Sequence, residues 1–160
     1  TEYALNVPGL HNISNALSAI AFGTLEGIDS NIIKEALLAF HGTNRRFDYK
    51  GTIGGVTVID DYAHHPTEIR ATLTAAENYP HNHLWCVFQP HTYTRTKAFL
   101  DEFADVLKSV DVVVLADIYA ARETDTLGMS SEALAEKVKK LGTDAYYLPS
   151  FDAIEKFVLE

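Results

Sequence analysis

A doubly wound α/β fold with a mostly parallel sheet is what this 160-residue sequence predicts. Three observations point to it. From residue 43 onward, short apolar runs alternate with segments of helical periodicity, the pattern of a parallel sheet with crossover helices. The run Val112-Val113-Val114-Leu115 is apolar without alternation, as in a strand buried on both faces. Polar clusters follow three successive apolar runs, at the strand ends where open α/β sheets bind ligands. They are Asp60 to His65, Gln89 to Lys97, and Asp117 to Glu123.

Composition bounds the function. Hydrophobic residues make up 47% of the chain, enough for a packed core and too many for a disordered segment. The net charge of -9 argues against a nucleic-acid-binding surface, while leaving room for a local phosphate site built from a few cations. No apolar run approaches the length of a membrane span. The single cysteine, Cys86, lies inside an apolar strand and reads as a small core residue. A chain with one cysteine forms no internal disulfide, which fits a reducing cytoplasm. Thr1-Glu2-Tyr3 lacks an initiator Met and Phe157-Val158-Leu159-Glu160 stops within a helical pattern, so the sequence reads as a fragment.

Residues 4–9 form an extended lead ending in Pro8-Gly9. A helix is expected from about Asn12 to Leu25, with Ile13, Leu17, Ile20, Ala21 and Leu25 at helical spacing and Gly27 ending it. Asp29 or Ser30 caps a second helix carrying Ile32, Ile33, Leu37, Leu38 and Phe40. Phe40 to Arg46 is polar, contains Gly42 and reads as a linker. Two helices of this size cannot bury both apolar faces alone. Residues 1–42 are therefore expected to be the tail of an upstream domain, and 43–160 the α/β domain. Phe47 to Gly51 and Val56 to Asp60 flank Gly54-Gly55 and predict a hairpin. Then follow helix Pro66–Asn78, strand Leu84–Phe88, helix Thr94–Ser109 and strand Val112–Ala116. A helix from Ser130 or Ser131 to Leu141, strand Ala145–Leu148 and helix Ser150–Leu159 end the chain. A final strand is expected beyond it.

The candidate chemistry lies in the turns. Pro66 suits a first helical turn and keeps His65 extended, so Asp60, Asp61, His64 and His65 share one strand-to-helix turn. An ionised Asp there accepts from a ribose diol or holds a metal; a helix cap is the plainer alternative. His64, His65 and His91 could ligate, donate or exchange protons. Arg45-Arg46 suits an oxyanion, or is an exposed solubilising pair. Asn12 and Asn15 share a helix face and could bond a base edge or cap the helix. No G-x-x-x-x-G-K-[ST] or G-x-G-x-x-G loop is present, so nucleotide phosphates would be held mainly by residues outside this sequence.

Four motifs in order carry a resemblance. Pro8-Gly9-Leu10-His11-Asn12-Ile13-Ser14-Asn15-Ala16, Gly42-Thr43-Asn44-Arg45-Arg46-Phe47, Asp60-Asp61-Tyr62-Ala63-His64-His65-Pro66-Thr67-Glu68 and Phe88-Gln89-Pro90-His91 through Arg95-Thr96 resemble the Mur ligases. The match spans nearly the whole chain and is strongest to the branch that adds L-alanine to UDP-N-acetylmuramate. A branch recycling murein tripeptide shares the Asp-Asp-x-x-His-His-Pro style of motif. The resemblance implies an ATP-dependent amide-forming ligase of peptidoglycan synthesis, working through an acyl phosphate. It places residues 1–42 at the end of a central ATPase domain and 43–160 in a C-terminal domain. Magnesium ligands, the P-loop and the UDP-sugar domain would lie elsewhere, so this chain by itself is expected to be inactive. By motif position, Asn12, Asn15, Arg46 and Asp61 would contact ATP. Tyr62, His64, His91 and Arg95 would line the acceptor and acyl-phosphate side, with His64, His91 and Arg95 in catalytic roles. Family members often carry Arg directly after the His of the Phe-Gln-Pro-His turn, where this chain has Thr92, which leaves Arg95 as the main cation there. A metal-dependent hydrolase using Asp60, Asp61, His64, His65 and His91 is the competing reading of the same turns.

Overall fold

A computed structural model describes residues 2–160 and divides into two compact units, the first ending at Ala63 and the second spanning His64–Glu160. The first unit holds α1 (Leu10–Leu25), α2 (Ser30–Ala39), β1 (Asp48–Ile53) and β2 (Val56–Asp60). Helix α1 begins two residues before its expected start, with Gly9 at φ 99 in the position before it. Asp29 caps α2 by accepting from the Asn31 N–H at 2.8 Å. The two helices meet at Gly23, where an added Cβ would lie 2.9 Å from Ile33 Cδ1. Glycine there lets Ile33 pack down on α1. Of the apolar residues expected to face inward, Ile33 is buried, whereas Leu17 and Leu25 are 60% and 85% exposed. β1 and β2 form their own antiparallel hairpin. Gly54 and Gly55, at φ 59 and 85, make the turn that twists with the strands.

The second unit contains α3 (Pro66–Glu77), β3 (Trp85–Phe88), α4 (Tyr93–Ala98), α5 (Leu100–Leu107), β4 (Val112–Leu115), α6 (Ser131–Lys140), β5 (Asp144–Tyr147) and α7 (Phe151–Leu159). Its sheet is fully parallel in the order β3-β4-β5. Val87 pairs with Val114 and Phe88 with Leu115, so alternate residues define two faces. On one face Phe88 packs against Phe103 of α5, with ring centroids 5.6 Å apart. Helices α5 and α6 pack on each other, and α3 on α5. On the other face Ile154 and Phe157 of α7 close over Val112, Val114 and Leu148. Helices on both faces make the unit doubly wound, as the sequence predicts. β4 is central and nearly water-free, with Val113, Val114 and Leu115 all at 0% exposure. Cys86 is half-buried, and desolvation pushes its thiol up to about 12, so it stays protonated at neutral pH.

One element differs from expectation. The single helix predicted over Thr94–Ser109 is two, broken at Phe99, whose φ of -117 and ψ of 27 leave the helical region. No Pro or Gly marks the break. Instead the Phe99 ring lies edge-on to His65, centroids 4.7 Å apart. Tertiary packing overrides a sequence with uninterrupted helical propensity.

Candidate active site

The carboxyl ends of β3 and β4 carry two loops that are laced together. The Thr92 N–H donates to the Tyr119 carbonyl and the Tyr119 N–H to the Pro90 carbonyl, each at 2.9 Å, and His91 and Tyr119 form a parallel bridge. Their rings stand 5.4 Å apart. Thr92 adopts φ 68 and ψ 141, a conformation that costs a β-branched residue about 1–3 kcal/mol. Surrounding bonds hold it there: its carbonyl accepts from the Thr96 hydroxyl at 2.7 Å and its own hydroxyl from the Arg95 N–H at 3.4 Å. The result aims Arg95 back along the turn. Arg95 Nη1 lies 3.3 Å from His91 Nδ1 and 3.5 Å from the His91 carbonyl. Among the described residues no carboxylate pairs with this half-buried guanidinium.

Helix α3 supplies the third wall. His65 is its N-cap: Nδ1 accepts from the Thr67 N–H at 3.3 Å, and Glu68 Oε2 answers by accepting from the His65 N–H at 3.2 Å. The same Glu68 oxygen accepts from the His64 N–H at 3.0 Å and lies 3.6 Å from His64 Nδ1. His65 is thus committed to capping and to Phe99, while His64 points to His91, ring centroids 6.1 Å apart. The structure brings His64, His91 and Arg95 into one cluster. Tyr119 and Glu68 belong with them and were missed as site residues. Glu68 stands three residues after the cap, the spacing of a capping box, and could have been found. Beside the cluster, the Tyr147 hydroxyl donates to Asp117 Oδ1 at 2.5 Å, and that bond pushes its pKa up to about 12.

In the first unit the functional candidates take a different form. Asp61 uses both carboxylate oxygens, accepting from the Phe47 N–H and the Ala63 N–H at 2.7 Å each. It ties the Arg45–Phe47 segment to the end of β2. Asp61→Asn offers one acceptor oxygen for two donors, so the unfolding free energy is expected to fall by about 1–3 kcal/mol. Urea denaturation checks this, and an unchanged midpoint would contradict the clamp. Arg45 sits at φ 59 with its guanidinium 4.6 Å above the Tyr62 ring and Nε 3.8 Å from Asp60. Arg46 is exposed and, among the described residues, has no carboxylate partner. Asn15 Nδ2 donates to Asn12 Oδ1 at 3.4 Å, while Asn12 Nδ2 donates to the Pro8 carbonyl at 2.6 Å. Among the described residues no three His, Cys, Asp or Glu side chains converge as a metal site, which leaves the hydrolase reading without a ligand set. No helix among them is long and apolar enough to cross a membrane.

Comparison with known proteins yields a consistent set. Residues 45–160 match the family model described as Mur ligase, glutamate ligase domain. Over 159 residues the chain is 62% identical to a UDP-N-acetylmuramate–L-alanine ligase of Agathobacter rectalis, covering 99% of this chain and 35% of that protein. A relative of the same name from Caldanaerobacter subterraneus is 50% identical over 99% of this chain and 35% of its own length. The chain therefore spans about a third of the curated relatives it matches. Among solved structures, the UDP-N-acetylmuramate-alanine ligase of Thermotoga maritima superposes with a TM-score of 0.81 at 34% identity, over 98% of this chain and 33% of that one. A murein peptide ligase of Psychrobacter arcticus follows with a TM-score of 0.66 at 28% identity, over 98% and 32%.

Proposed function

We propose, from the premise that this chain belongs to the Mur ligase family, that it is the acceptor-side part of a cytoplasmic ligase joining L-alanine to UDP-N-acetylmuramate in peptidoglycan synthesis. The observation carrying this reading is the Arg95 guanidinium, aimed by a strained turn, flanked by His91 and lacking a carboxylate partner among the described residues. A free amino acid supplies that carboxylate, and a guanidinium fork holds it in one orientation. Orientation matters because the amine must face the acyl carbon.

ATP would supply the phosphoryl group that turns the muramyl carboxylate into an acyl phosphate, with magnesium as its counter-ion. The attacking amine then forms the amide as phosphate leaves. In this chain's first unit, Arg46 has the exposed charge to meet an oxyanion. Asp61 keeps lone pairs beyond its two backbone bonds for a ribose hydroxyl. Asn12 and Asn15 offer amide groups to a base edge, and Tyr62 offers a hydroxyl to substrate. These residues fit a nucleotide. Among the described residues no group of three His, Cys, Asp or Glu makes a magnesium site, and we assign that ion to the rest of the enzyme. In the second unit, His64 and His91 would donate to the acyl-phosphate oxygens and Arg95 would seat the amino acid. Residues 1–42 would extend the ATPase domain and 43–160 form the C-terminal domain.

The full-length protein is expected to release ADP only when both UDP-N-acetylmuramate and L-alanine are supplied. The 160-residue chain alone should release none. ADP release by the full-length protein that is independent of any amino acid would overturn the proposal.

A further inference from the structure

Helix α4 is six residues long and ends at the Phe99 break, so its own hydrogen bonds fix little of its geometry. Its first N–H groups have no intrahelical acceptors. Thr92 takes the Arg95 N–H. The other two are taken from a distance. Glu123 Oε2, on the loop after β4, accepts from the Tyr93 N–H at 2.5 Å and the Thr94 N–H at 3.1 Å. Glu123 is itself fixed, its N–H donating to the Ala120 carbonyl at 3.0 Å through a turn with Ala121 at φ 54. Bonds from the Thr94 side chain, then from the two backbone N–H groups, hold its carboxyl below the usual range, so it is ionised at neutral pH.

We infer that Glu123 is a positioning residue for the acceptor carboxylate: it sets where α4 begins, and through α4 the placement of the Arg95 guanidinium beside His91. The inference rests on reading the His64–His91–Arg95 cluster as the acceptor seat. Glu123 touches neither Arg95 nor a substrate in this account, and it acts through the backbone. A displacement of the guanidinium by about 1 Å is enough to cost on the order of a hundredfold in rate.

The test is steady-state kinetics on the full-length ligase with Glu123→Ala and Glu123→Gln, varying L-alanine, ATP and UDP-N-acetylmuramate in turn. Glu123→Ala is expected to raise the L-alanine KM about ten- to hundredfold and to lower kcat, with the other two KM values within about threefold. Glu123→Gln keeps an oxygen for both N–H groups and is expected to restore the L-alanine KM to within about fivefold of wild type. Equal rises in all three KM values, an L-alanine KM unmoved in Glu123→Ala, or a Gln variant as impaired as Ala would each overturn the inference. The reading beneath it fails separately: an Arg95→Ala enzyme with wild-type L-alanine kinetics removes the acceptor seat itself. If Arg95→Ala is impaired and Glu123→Ala is not, the loss falls on Glu123 alone.

Discussion

Arg95→Ala raises the L-alanine KM of the full-length ligase about a hundredfold and leaves the ATP KM within about threefold. This is the expected result if Arg95 seats the acceptor. Charge-assisted hydrogen bonds contribute about 1.5–3 kcal/mol each, and the fork makes two to one carboxylate. A factor of ten is about 1.4 kcal/mol, so a hundredfold corresponds to losing roughly one to two such bonds. The structure adds a second contribution, because Arg95 Nη1 lies 3.3 Å from His91 Nδ1 and its removal frees the imidazole to rotate. Arg95→Lys keeps the charge and loses the fork, so its L-alanine KM should fall between the two. Steady-state kinetics with each substrate varied in turn checks this. A proportional rise in the ATP KM would mean that Arg95 supports the fold rather than the amino acid.

Phe103→Ala is expected to lower the unfolding free energy by about 3–5 kcal/mol, a large fraction of the 5–15 kcal/mol typical of a domain. Phe103 is fully buried and its ring meets Phe88 across the α5–sheet contact. That contact also holds the carboxyl end of β3, where the His91 turn begins. Leu141→Ala, at a position 49% exposed, should stay within about 0.5 kcal/mol of wild type. Urea denaturation of the full-length protein and both variants measures the difference. A loss below about 1 kcal/mol at Phe103 would mean that the core is not organised around it.

Local signals carried most of the second unit. Pro66 at a first turn, helix starts at Ser130 or Ser131 and at Ser150, and the unbroken apolar run of β4 each specify structure within a few residues, and each appears within a residue of expectation, with Ser130 and Ser150 as the caps. The meeting of the polar ends of β3 and β4 was also legible, and His64, His91 and Arg95 do converge. What escaped depends on residues far apart in the chain. Glu123 reaches the first turn of α4 across 30 residues, and nothing in either segment announces the pairing. The Phe99 break falls where its ring meets His65, and no Pro or Gly marks it in the sequence. His65 was a candidate for chemistry until its capping bond removed it. Arg45, at positive φ, has its side chain on Tyr62 and near Asp60, leaving Arg46 as the cation without a carboxylate partner among the described residues, and no propensity rule distinguishes the two exposed neighbours.

The identity of the acceptor is the central claim, and competition tests it most directly. The full-length enzyme is given ATP, UDP-N-acetylmuramate, L-alanine and a murein tripeptide beginning with L-alanine, at equal concentrations, and the nucleotide products are resolved by mass. On the proposed reading, a seat built from one guanidinium on a tightly held turn would take a free amino-acid carboxylate close to the amine. The account therefore predicts UDP-N-acetylmuramoyl-L-alanine as the dominant product, in stoichiometry with ADP. Dominant tripeptide product would contradict it and assign the chain to the recycling branch of the family.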